Sequence, residues 1–151
     1  MTVATAPQRS SASGRSARRF GYTVAICINA VLLYLVNATP GWQAVPFLTD
    51  EVPAALDWVN ASIVAGIVAN FLYVLVDRPR FRAFGELVVT LIGLAALVRL
   101  WQVFPFTFDN EGVPWSTVVR WVLAVGMVGS VIAVIVNFVK LVRDRDRTGS
   151  P

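Results

Sequence analysis

Four long apolar runs, separated by short polar stretches, set the pattern of this chain; they fall near residues 20–38, 54–76, 83–104 and 116–142. A helix rising 1.5 Å per residue needs about 20 apolar residues to cross a hydrocarbon core, and each run is near or above that length. The pattern predicts an all-α integral membrane protein, a four-helix bundle spanning residues 20–142. Residues 1–19, rich in Ser, Ala and Arg, have nothing apolar to bury and are expected to form a disordered basic tail. Residues 143–151 form a second, short charged tail.

A nine-residue pattern, W-Q-x-x-P-F-x-x-D, occurs twice where an apolar run ends. The first copy holds Trp42, Gln43, Pro46, Phe47 and Asp50; the second holds Trp101, Gln102, Pro105, Phe106 and Asp109. Both follow an odd-numbered span, so the repeat predicts two helical hairpins in parallel orientation, spans 1–2 matching spans 3–4. Asn70-Phe71 and Asn137-Phe138, near the far ends of the even-numbered spans, echo the same duplication. Physically, Trp anchors a helix end at headgroup level and Gln can reach the last free carbonyls. Pro then stops the helix, Phe folds back into the interface and Asp opens a polar turn. The motif is expected to be a re-entry loop that pins each hairpin; an outward docking surface is the functional alternative.

Charge gives the orientation. Arg9, Arg15, Arg18 and Arg19 precede span 1; Arg78, Arg80 and Arg82 lie between spans 2 and 3; Lys140, Arg143, Arg145 and Arg147 close the chain. Loops 39–53 and 105–115 contain no Lys or Arg but carry Asp50, Glu51, Asp109 and Glu111. The positive-inside rule therefore places both termini in the cytoplasm and the protein in the plasma membrane. All five tryptophans (Trp42, Trp58, Trp101, Trp115 and Trp121) fall near the outer ends of spans, as an interfacial belt requires. A cleaved signal peptide over 1–38 is the competing reading, since Val36-x-Ala38 would pass as a cleavage site. Its apolar stretch is longer than a usual signal core, and the repeat matches span 1 to span 3.

Composition narrows the function. Hydrophobic content of 56% and a mean hydropathy of +0.66 are too apolar for an ordinary soluble domain of this size. The net charge of +4 comes from segments flanking the spans, so no nucleic-acid partner is expected. With no His and with Cys27 alone, the chain offers no internal disulfide, cysteine-rich zinc site or histidine-ligated haem. Cys27 itself reads as a small buried hydrophobe. No nucleophile–base pair, metal-ligand set or phosphate loop can be assembled, so neither catalysis nor a cofactor is expected.

Polar residues inside spans are costly, and their phase is informative. At roughly 100° per residue, Tyr22, Ala25 and Asn29 share a face of span 1, and Ser62, Gly66, Asn70 and Tyr73 form a stripe on span 2. Glu86, Thr90 and Gly93 align on span 3, and Gly126, Ser130, Ala133 and Asn137 on span 4. Small residues let helices approach and amides can bond across them, so these faces are expected to form the bundle interior. Asn29, Asn70, Glu86, Thr90 and Asn137 are the candidate polar interior. Two readings stand: a cytoplasm-facing vestibule in which Glu86 binds a cation or proton, or a packing network with Glu86 paired to Arg82 one turn earlier. Replacing Glu86 with Gln leaves folding intact under both readings, and only the vestibule demands a loss of activity.

Asp57, Arg99 and Arg120 lie about 6–8 Å inside the outer boundaries of spans 2, 3 and 4. Matching depth makes an Asp57–Arg99 or Asp57–Arg120 ion pair a candidate, but Asp57 and Arg99 point away from the small-residue faces. Snorkelling to headgroups is the leading expectation for both arginines.

The stretches G-W-Q-A-V-P-F and V-R-L-W-Q-V-F-P-F, with the Arg-rich inner loop, resemble small uncharacterised four-span proteins of actinobacteria over most of residues 20–142. The resemblance implies a four-span fold and no activity. Small multidrug transporters, with a glutamate in span 1, and fluoride channels, many with nearly balanced charge, fit poorly. The expected function is accessory or scaffolding, with the lipid bilayer, a second copy of the chain or a larger membrane protein as partners. The alternative is a small channel or transporter subunit using Asn29, Asn70, Glu86 and Asn137.

Overall fold

The computed structural model describes residues 10–76, 78–108 and 112–146. It contains α1 (Ser10–Asn37), a short 3-10 turn (Trp42–Ala44), α2 (Pro53–Leu75), α3 (Pro79–Val103) and α4 (Trp115–Asp146). All four α-helices are long and apolar enough to cross a membrane. Their ends follow local chemistry. Pro53 and Pro79 occupy first-turn positions, where proline's missing N–H costs nothing. Arg78, ahead of Pro79, is extended, as the residue before proline prefers. Phe104 ends α3 in the left-handed conformation (φ 44°), its N–H donating to the Leu100 carbonyl, and Pro105 follows.

Three expected boundaries move. Residues 10–19, expected to be disordered, are the first turns of α1, in which Ala12, Ala17 and several arginines favour the helix. Charged residues flank apolar cores without ending helices, so α3 also takes in Arg80 and Arg82, and α4 continues past Val142 to Asp146. Residues 1–9, Asp109 and 147–151 lie outside the described residues.

The helices pack in chain order, α1 on α2, α2 on α3 and α3 on α4; among the described residues no contact joins α1 to α4. The bundle is therefore open along one side. Its packing is inverted relative to a water-soluble protein. Ala55, Gly66, Ala69, Tyr73, Ala96 and Asn137 are buried, while Trp121 (68%) and Val125 (67%) are among the most exposed side chains. Large apolar groups thus face outward, where a bilayer would receive them, and small ones let the helices approach. Cys27, expected to be buried, is exposed on α1 because α1 packs only on one side.

Candidate functional site

The polar span residues gather in three places. At the α2–α3 turn, the end that loop charge is expected to place inside, Arg82 joins three helices. Its Nε lies 3.4 Å from Glu86 Oε1 one turn along α3, and its Nη1 donates to the Tyr22 hydroxyl of α1 at 3.1 Å. The Tyr73 hydroxyl of α2 donates to the Arg82 carbonyl at 3.3 Å. Tyr73 also meets Tyr22 edge-on at 5.5 Å and Phe81 at 6.4 Å. Gly85 allows this, since a Cβ there would overlap the Tyr73 ring. An edge-on pair of tyrosines and an ion pair thus occupy this end, where α1, α2 and α3 meet.

Between α1 and α2, Asn29 and Asn70 converge on one glycine. A Cβ at Gly66 would sit 3.5 Å from Asn29 Nδ2, so α1 meets α2 at a bare backbone. Asn70 Nδ2 donates to the Gly66 carbonyl at 2.7 Å, and Asn29 Nδ2 to the Ala25 carbonyl at 2.9 Å. Thr90 and Ser130 also turn back on their own helices, donating to Glu86 O at 2.6 Å and Gly126 O at 2.8 Å. Asn137 is buried on α4. Leu97 packs on Gly126, and Glu86 and Asn137 lie equally many residues inward from that contact, so they share a level. The candidate interior is thus split: Asn29 with Asn70 across α1 and α2, Glu86 with Thr90 on α3, and Asn137 level with Glu86 on α4.

The opposite end, expected to lie outside, holds contacts that helical phase did not predict. Asn37, the last residue of α1, and Asn60 of α2 exchange two amide hydrogen bonds, both 2.8 Å. Two amides near facing helix ends of one hairpin were the available signal. The two W-Q-x-x-P-F stretches, expected to pin separate hairpins, pair with each other. Leu48 and Phe106 form an antiparallel bridge, with Thr49 N donating to Pro105 O (3.1 Å) and Thr107 N to Phe47 O (2.9 Å). Phe47, Phe106 and Phe108 stack over the bridge, and Pro105 is fully buried. The copies differ upstream: Trp101 and Gln102 belong to the last turn of α3, whereas Trp42 and Gln43 form a separate turn after Gly41 (φ 81°) and the cis Thr39–Pro40 bond. Asp50 is exposed in the turn that follows Thr49.

The Asp57 ion pair does not form. Asp57 is exposed on α2, Arg99 Nη1 donates to Gln102 Oε1 at 3.3 Å, and the Arg120 guanidinium lies 4.1 Å from the Phe104 ring centre and 5.5 Å from that of Trp101. Among the described residues no helix contact joins α2 to α4, which separates Asp57 from Arg120. An aromatic face replaces the carboxylate.

Two apolar clefts accompany these clusters. One of about 440 Å³ lies beneath the paired outer loops, and one of about 250 Å³ lies between α2 and α3 beside Tyr73 and Gly85. Glu86 lines neither. Among the described residues no three His, Cys, Asp or Glu side chains gather as metal ligands would. No family model, curated protein or solved structure matches the chain.

Proposed function

We propose that this is an accessory or scaffolding protein of the plasma membrane, with both termini cytoplasmic, that associates with a second copy of itself or with a larger membrane complex. One observation carries the reading: the polar groups of the spans are turned back on their own helices rather than toward a shared lumen. Asn29, Asn70, Thr90 and Ser130 donate to backbone carbonyls, and Glu86 is paired with Arg82. A conduction path needs polar groups turned toward a shared aqueous lumen. The open side between α1 and α4, faced with exposed Val and Ile, leaves apolar helix surface for another membrane protein. The charge asymmetry of the loops supports the orientation. The two pairing W-Q-x-x-P-F stretches support descent from a duplicated hairpin with parallel repeats.

Cross-linking in intact membranes, followed by sizing in mild detergent, tests this reading. Discrete species larger than one chain are expected. A solitary chain in membranes, together with ion flux through it, would establish the small channel or transporter instead.

A further inference from the structure

The larger cleft lies at the outer end of the helices, at the level of the tryptophans. Val36 of α1, Val59 and Leu56 of α2 and Leu100 of α3 form its sides, and Trp42 and Phe106 from the two repeated stretches roof it. Its wall is apolar throughout, so the matching occupant is a hydrocarbon chain, and at this depth hydrocarbon is supplied by the bilayer.

A cation stands close to the roof. The Phe106 ring, which lines the cleft, is 5.5 Å from Phe104, and Phe104 carries the Arg120 guanidinium on its face at 4.1 Å. A guanidinium held against ring faces keeps its N–H donors for a further acceptor, and their fork matches a phosphate. Arg99 adds a second charge one turn before α3 ends at Val103. Among the described residues neither arginine has a carboxylate partner, and both are exposed. Two cations without an ion-pair partner at headgroup depth, one of them against the rings beside an apolar cleft, match a single amphiphile with an anionic head.

We propose that this end of the protein binds one anionic glycerophospholipid, with an acyl chain in the cleft and its phosphate at Arg120, and with Arg99 strengthening the field. Binding of this kind goes beyond scaffolding and does not depend on it.

Native mass spectrometry of the full chain in mild detergent, given equal amounts of dioleoyl phosphatidylglycerol and dioleoyl phosphatidylcholine, tests the proposal. The phosphatidylglycerol adduct is expected to exceed the other about fivefold, the effect of roughly one basic residue at a membrane surface. Arg120→Gln should bring the two lipids to near parity. Val59→Trp, which fills the cleft, should lower both adducts at least threefold, by loss of roughly one or more buried methylenes' worth of contact. Equal retention of the two lipids by the wild-type chain would overturn the proposal, whatever the variants do. So would full displacement of phosphatidylglycerol by millimolar glycerol phosphate, which would assign the site to a free phosphate ester.

Discussion

Arg82 and Tyr22, sixty positions apart in the chain, meet through a 3.1 Å hydrogen bond that ties the first turn of α3 to α1. Because Arg82 also pairs with Glu86 and accepts the Tyr73 hydroxyl on its carbonyl, it works as the fastening of the inner end. Tyr22→Phe removes the acceptor while keeping the ring contact with Tyr73. It should lower stability by about 0.5–1.5 kcal/mol, read as a drop in midpoint when helicity is followed during unfolding in detergent. No change in midpoint would mean the hydrogen bond holds nothing.

Gly85 and Gly93 lie on the same helix and should respond oppositely to alanine. A Cβ at Gly85 meets the buried Tyr73 ring, so Gly85→Ala should cost about 1–3 kcal/mol as the ring is displaced. Nothing lies within 4 Å of a Cβ at Gly93, and Gly93→Ala should be neutral or stabilising by up to about 1 kcal/mol from helix propensity. Thermal unfolding of the two variants side by side checks the contrast.

At the outer end of the first hairpin, the reciprocal Asn37–Asn60 amide pair should register as a coupling. A double-mutant cycle of Asn37→Ala and Asn60→Ala is expected to give an interaction energy of about 0.5–1.5 kcal/mol, the range of interhelical hydrogen bonds in membranes. Additive single effects would mean that the pair contributes no coupling.

The pairing of the repeated stretches places Leu48 opposite Phe106 in a bridge flanked by two hydrogen bonds. Facing residues of this kind are close enough for a disulfide. In a Cys27→Ser background, Leu48→Cys with Phe106→Cys should oxidise within one chain and migrate faster on a non-reducing gel. A product of twice the chain mass would instead place the two stretches on different molecules.

How much of this could be read in the sequence follows from the range of each signal. Helix number, and ends to within a few residues at most boundaries, were legible because the cost of crossing hydrocarbon acts on whole runs of residues. The packed faces were legible only in part: Gly66, Tyr73 and Asn137 are buried where their phase pointed, whereas a Cβ at Gly93, on the expected face of α3, would meet nothing. Contact between the two outer stretches was not. Each copy of the motif satisfies local chemistry alone, with Pro46 and Pro105 stopping a helix, and nothing local reports that Thr49 and Thr107 bond across. The Asp57 pair failed for a related reason: depth along a helix is read from spacing, but which helices are neighbours is decided by packing. The early start of α1 shows that absence of apolar residues does not end a helix when alanine and arginine continue it.

Ion flux through liposomes holding the purified wild-type chain, beside Glu86→Gln, bears most directly on the claim that the polar span residues line no conduction path. The Arg82–Glu86 pair is half-exposed, and an i,i+4 pair of that kind is worth about 0.3–0.5 kcal/mol, so the variant should fold normally. The account predicts that both preparations leak protons and monovalent cations no faster than empty liposomes. Wild-type flux that Glu86→Gln abolishes would contradict it and assign Glu86 to a conduction path.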